Sequence, residues 1–389
     1  MNKSPNLFET PDLIKVPNLE EMDLEDCLNL REIHPSTFIH NRLTHLNLNG
    51  CVNVKNLTSK FEMESLKVLI LSGCSKLKKI PEFGENMQSV LKLYLDGTAI
   101  TKLPTSIGLL TNLVLLNVRD CKSLRCLPSK IFNLKLLKDV NISGCSKLER
   151  LPQNVGNAES VEKLDVSGTA IKEVPSSIGL LKNLKVLSFN GCKGLSSINS
   201  TSWYDLLPFS SRPKIADPVG FSSLLGLCSL TKLKLKDCNL REIPDDIGCL
   251  FSLEEINLRG NSFVCLPDSI SRLCKLRRMD LENCTSLRSL PKLPLSIVCV
   301  WADGCSSLET VPDLLKPNSL CEVELFISNC SKLADNQGFI DMFFTVIRKQ
   351  LQVSLFLSPS LSLSLSLSLS LSLYIYIYIY IINNLLCMF

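Results

Sequence analysis

The sequence predicts an α/β solenoid: a horseshoe with parallel strands on its concave face and short helical or 3-10 turns on its convex face. Three observations predict it. First, a short apolar pattern recurs seven times between residues 43 and 192. It opens with Leu43, Leu46, Leu48 and Cys51 and returns as Leu66, Leu69, Leu71 and Cys74. Later copies close at Thr98, Cys121, Cys145, Thr169 and Cys192. Second, the closing positions are 23, 24, 23, 24, 24 and 23 residues apart, a fixed period of the kind that marks stacked repeats. Third, most copies carry an apolar residue followed by proline, as at Ile80-Pro81, Leu103-Pro104, Leu127-Pro128 and Val174-Pro175.

Each repeat divides in two. The L-x-x-L-x-L half alternates, so its leucines point inward and the residues between them share one open face. With a small closing residue this is the leucine-rich-repeat pattern. In the return half, proline fixes φ and starts a short helical turn, and the Ile-Gly-x-Leu segments that follow permit a tight exit. Two repeat lengths are interleaved. Cys74 to Pro81 takes seven steps and Thr98 to Pro104 six, with the short form again at Thr169, Cys238 and Asn261. Slightly different convex turns are expected there.

Eighteen cysteines in 389 residues suggest a disulfide framework until they are placed. Ten of them (Cys27, Cys51, Cys74, Cys121, Cys145, Cys192, Cys238, Cys284, Cys305 and Cys330) take the closing position, which elsewhere holds Thr98, Thr169 or Asn261. A slot shared by Cys, Thr and Asn calls for a small hydrogen-bonding group at a buried turn. Stacking sets these slots in a ladder poorly suited to bridging, so reduced thiols and an intracellular compartment are expected. A net charge of +4 gives no argument for a nucleic-acid or membrane-surface protein.

Taken in order, residues 1–15 read as the second half of a repeat, because Ser4 lies 23 residues before Cys27. The next repeat runs through Leu19, Met22, Leu24 and Cys27. A solenoid end without a polar cap exposes an apolar face, so the expectation is a piece of a longer polypeptide. No apolar core of signal-peptide length occurs before Lys15. The solenoid is expected over residues 1–340, interrupted at about 196–226, a segment rich in Ser, Pro and aromatics through which no repeat threads. Repeats resume at 230–238, 253–261, 276–284, 297–305 and 322–330. Residues 341–352 read as a terminal helix or connector.

Residues 353–389 change character. No charge occurs from Gln350 to Phe389, and Leu-Ser alternation gives way to Tyr-Ile alternation. One reading is a membrane segment, since roughly 20 apolar residues span a bilayer. The other is intron read-through. Two-base repeats read in triplets give Leu-Ser and Tyr-Ile, and Gln352-Val353-Ser354 is what a splice-donor consensus would encode. The second reading makes the tail artefactual or disordered and aggregation-prone.

Little in the chain suggests catalysis. There is no phosphate loop, no G-x-G-x-x-G and no C-x-x-C. The three histidines, His34, His40 and His45, lie near Cys27 and Cys51, but both cysteines are ladder positions, so neither metal nor cofactor is expected. The open face is where a repeat protein binds. It begins with an acidic blade of Glu21, Asp23 and Glu25 and continues through Lys92 and Tyr94, then Lys163 and Asp165. Further on come Lys232, Lys234 and Lys236, then Arg259, Arg278, Glu282 and Trp301. These residues are the candidate protein-binding surface, charge-selective with Tyr94 and Trp301 as aromatic anchors.

The segments 71–81 (Leu-Ser-Gly-Cys-Ser-Lys-Leu-Lys-Lys-Ile-Pro), 96–108 and 167–179 resemble the repeats of plant TIR-NB-LRR disease-resistance proteins. Glu-Thr-Pro-Asp-Leu (9–13) is similar to their first repeats. The resemblance covers about residues 4–352. It implies a cytoplasmic or nuclear immune receptor whose repeats recognise a pathogen effector or a guarded host protein and hold a nucleotide-binding domain off. The TIR and nucleotide-binding domains are absent, so nucleotide binding and NAD cleavage are not expected here. The reading is thus a non-enzymatic recognition module. Its alternatives are a truncated repeat-only regulator or decoy, and an extracellular receptor ectodomain, for which sequons exist at Asn56 and Asn199.

Overall fold

The computed structural model describes residues 2–196, 224, 226–311 and 323–341. The proposed terminal helix beyond 341, the tail and nearly all of the 196–226 interruption lie outside them. The chain forms two units, one of Met1–Leu240 with Asp246–Asn257, the other of Arg241–Asp245 with Leu258–Phe389.

In the first unit each repeat contributes one three-residue strand: β1 (Glu21–Asp23), β2 (His45–Asn47), β4 (Val68–Ile70), β6 (Lys92–Tyr94), β7 (Leu115–Asn117), β8 (Asp139–Asn141), β9 (Lys163–Asp165), β10 (Val186–Ser188), β11 (Lys232–Lys234) and β12 (Glu255–Asn257). They pair in parallel, in chain order and without slippage, so that Leu46 faces Leu69 and Leu69 faces Leu93. Register is this strict because a one-residue slip would turn every leucine to solvent. The leucines at the second strand position and the one after the strand are buried, for example Leu46, Leu48, Leu69, Leu71, Leu93 and Leu95 at 0% exposure. Burying each such side chain contributes about 1.5–3 kcal/mol. β10 pairs directly with β11, Val186 against Lys232, although 43 residues separate the two strands in sequence.

The second unit repeats the plan with β13 (Arg278–Asp280), β14 (Cys299–Trp301) and β15 (Glu324–Phe326), again parallel.

The closing slot behaves as its residue types demand. The Cys74 thiol donates to the Leu48 carbonyl of the previous repeat at 3.2 Å, Cys121 to Leu95 at 3.2 Å, Cys145 to Val118 at 3.2 Å and Cys192 to Val166 at 3.1 Å. Thr98 and Thr169 instead donate within their own repeat, to Leu95 and Val166, both at 2.8 Å. The described cysteines are all thiols.

The residue before the closing slot always turns left-handed. Gly50, Gly73, Gly97, Gly144, Gly168 and Gly191 have φ between +65° and +73°, while Asp26, Asp120 and Asp237 hold the same place at +54° to +56°. Lys3, just before Ser4, has φ +52°, and its amide donates to the Glu25 carbonyl at 2.6 Å. Asp26 donates to the Asn49 carbonyl in the same manner, so Lys3 holds the position before a closing slot, as expected if residues 1–15 are the second half of a repeat.

Most return halves carry 3-10 turns, whereas the one after Cys330 carries a short α-helix, Ser331–Ala334. Five-residue turns follow Pro104, Pro128, Pro175 and Pro267, with proline just before the first turn residue. All four short-form repeats carry a five-residue turn (105–109, 176–180, 245–249 and 268–272), whereas the long-form repeats vary. Two long ones depart most. There, β3 (Lys60–Phe61) and β5 (Glu82–Phe83) pair in a second small sheet unforeseen from the pattern. Phe61 and Phe83 of these strands pack in tilted contact with each other and with Phe38, at 5.7 and 5.3 Å between centroids, all buried. Ring packing thus links three adjacent repeats on this side.

Candidate recognition surface

The open face of the first unit is built from the first and third residues of each strand and the second residue after it. Register sets the neighbours. Lys92 stands between Val68 and Leu115, and Tyr94 between Ile70 and Asn117. Val68, Ile70, Tyr94 and Leu115 are all half-buried, so three adjacent strands present a contiguous apolar floor. Lys92, in register between Val68 and Leu115, is exposed. Tyr94 was foreseen as an anchor. Val68, Ile70 and Leu115 were not, because Lys92 and Asn117 interrupt them at outward positions and only register brings them together.

Further along, Lys163 is exposed and neighbours Asp139 and Val186 in register. Burial pushes the Asp139 carboxyl above its ordinary range, Lys163 pulls it back, and Asp165 adds to the rise. Lys232 pairs with Glu255 at 2.9 Å and Lys236 with Asp237 at 3.8 Å. Lys92 and Lys234 make no ion pair among the described residues. The lysine strand is therefore partly neutralised by the next strand. These pairs are largely solvated and contribute about 0–1 kcal/mol each.

Third-position Asx residues are committed locally. Asp23, Asn47, Asn117, Asn141 and Asp165 each accept the amide two residues on, at 2.9–3.1 Å. Asp165 also accepts the Ser167 hydroxyl at 2.5 Å. Asp165 thus caps its own turn, an assignment that competes with partner contact. The acidic blade is similarly engaged: Asn47 donates to Asp23 at 3.0 Å and Asn49 to Glu25 at 2.9 Å.

In the second unit, Arg259 and Glu282 form an ion pair. Asp280 caps the Glu282 amide at 3.1 Å. Arg278 opens β13, exposed, and Trp301 stacks on Phe326 at 6.1 Å with 9° between planes. The histidines do not converge. His34 bonds Ser36, His40 the Val16 carbonyl and His45 Thr44, each at 2.8 Å.

Comparison with known proteins agrees with this architecture. The family model described as "Disease resistance protein RPS4B-like, leucine-rich repeats" matches residues 62–160, and a general Leucine Rich Repeat model matches 252–273. The TMV resistance protein N of Nicotiana glutinosa is 34% identical over 75% of this chain and 24% of its own length. The chain belongs to the leucine-rich-repeat regions of plant disease-resistance proteins. Two Arabidopsis thaliana relatives align with this disease-resistance repeat region over 80% of its length. The disease resistance-like protein DSC1 is 38% identical over 19% of its own length, and the disease resistance protein RPP2B is 37% identical over 24%. The repeat region thus spans about a fifth to a quarter of the relatives it matches. Among its described residues no helix is long and apolar enough to cross a membrane.

Proposed function

We propose that the chain is a non-enzymatic protein-recognition module of an intracellular immune receptor, cytoplasmic or nuclear. It takes a pathogen effector or a guarded host protein on the open face of the first unit. In a longer receptor the same repeats help to hold the nucleotide-binding domain inactive. The observation that carries the reading is the apolar floor of Val68, Ile70, Tyr94 and Leu115, beside lysines that project into solvent. Rigid aromatic and aliphatic area supplies affinity, and flanking charge sets orientation and encounter rate. Backbone and thiol hydrogen bonds are satisfied between repeats, so the face is left to recognition.

The test is capture of the partner from infected leaf tissue by proximity labelling, followed by measurement with purified protein. Tyr94→Ala should weaken binding by about 2 kcal/mol or more, as for a buried anchor. Charge reversal of Lys232, Lys234 and Lys236 should slow association most at low salt. Unchanged affinity in both variants overturns the assignment. The purified chain is also expected to show no nucleotide hydrolysis and no NAD loss, and measurable turnover would remove the non-enzymatic reading.

A further inference from the structure

One cleft in the first unit plays no part in the open face. It lies on the return side of three successive repeats, where residues 54–58 run without a helical turn, and it encloses about 570 Å³. Its rim carries Arg31, Lys55 and Lys76, with Glu32, Asn56 and Thr58 among the other lining residues. Lys76 is held in place by Asn53, whose side-chain oxygen accepts its ammonium at 2.6 Å while the amide donates to the Leu28 carbonyl at 2.7 Å. Arg31 lies 6.0 Å from the Phe8 ring centroid, which braces the guanidinium against an apolar surface. Among the described residues, the side chains of Lys55, Glu32, Asn56 and Thr58 make no hydrogen bond or ion pair.

We propose that this cleft binds a small phosphorylated polyol. Three cations around one concavity, one of them a guanidinium able to bond two oxygens at once, suit a phosphate dianion. Glu32 argues against a bare anion. A carboxylate beside an amide and a hydroxyl suits the donors and acceptors of alcohol groups. A ligand that carries both a phosphate and hydroxyls can use all six residues, whereas inorganic phosphate leaves the carboxylate opposed to like charge. The volume fits a sugar phosphate and is small for a folded partner.

The experiment is isothermal titration of the full chain with glucose 6-phosphate, glucose and inorganic phosphate at low salt. Saturable 1:1 binding of glucose 6-phosphate is expected, with each control at least about tenfold weaker. Arg31→Gln and Lys55→Gln should each weaken it by about tenfold, the effect of losing one charge-assisted hydrogen bond. Both side chains are exposed, so circular dichroism should be unchanged in the variants. Lys234→Gln, on the open face, should leave the affinity as it was. No saturable binding, or an affinity in both cleft variants unchanged from that of the parent chain, overturns the site. Inorganic phosphate binding as tightly as glucose 6-phosphate overturns the polyol part. A phosphoserine peptide binding more tightly than glucose 6-phosphate overturns the small-molecule assignment.

Discussion

Replacing Gly144 by alanine is expected to destabilise the first unit by about 2–3 kcal/mol. Gly144 has φ +73°, a left-handed conformation that costs an L-residue roughly 1–2 kcal/mol. The added methyl would also lie 2.1 Å from the Asp120 carboxylate oxygen and 3.2 Å from the Asp120 backbone. The carboxylate can swing aside, but the backbone contact and the loss of the present Asp120 position add further strain. Gly168 provides the comparison. It has φ +65°, yet its nearest neighbour would stand at 3.6 Å, ordinary contact. Gly168→Ala should therefore show only the conformational part. Urea unfolding of the two variants reads the difference. Replacing Asp120 by glycine should be more favourable in the Gly144→Ala background than in the parent chain, and that difference is the clash component. Equal losses at both positions would mean that stacking of Asp over Gly contributes nothing.

The second large effect is chemical. Five ladder thiols, Cys51, Cys74, Cys145, Cys238 and Cys305, should resist alkylation at pH 8 by about a thousandfold relative to an ordinary cysteine. Burial pushes Cys51, Cys74, Cys145, Cys238 and Cys305 up to about 12, against about 8.5 for a free thiol. Only the thiolate attacks, so its scarcity alone accounts for that factor before access is considered. Cys126, Cys249, Cys265 and Cys274 are exposed and should react at once. Timed iodoacetamide labelling read by peptide mass spectrometry separates the two sets, and in urea they should merge. Rapid labelling of these thiols in native protein would contradict their burial. The same shift has a pH consequence. The folded-state thiol value lies above the unfolded one, so its stabilisation is complete below about pH 8.5 and is lost as pH climbs toward 12. Unfolding midpoints should hold at neutral pH and fall on the alkaline side.

Much of the fold was legible because one strand and one turn recur with their chemistry exposed. Leu43, Leu46 and Leu48 disclosed an inward face, and the Cys, Thr or Asn slot disclosed a buried hydrogen bond. The left-handed position before it stayed hidden. Gly144, Asp120 and Asn283 look unrelated, and only the backbone shows that all three have positive φ. The β3–β5 pair was hidden for a related reason: Phe61 and Phe83 sit in dissimilar segments, and their packing is a tertiary event. On the candidate face, Tyr94 stood out by type. Val68, Ile70 and Leu115 did not, because apolar residues at outward positions look like noise until register sets them side by side. Lys232 was read as available charge, but its pairing with Glu255 depends on a strand 23 residues later.

The turn caps at Asp23, Asn47, Asn117, Asn141 and Asp165 divide the open face into two kinds of site. At these third positions the side chain is part of the scaffold, and an arbitrary replacement leaves a turn amide unmet, a loss of about 1 kcal/mol each time. First positions such as Lys92, Asp139 and Lys163 have no such backbone duty in this sheet. A display library built on this chain would therefore sample binding specificity most widely by randomising the first positions and the aromatic third position at Tyr94. The Asx residues would stay fixed, so that new specificities arise on a framework whose turns are already closed.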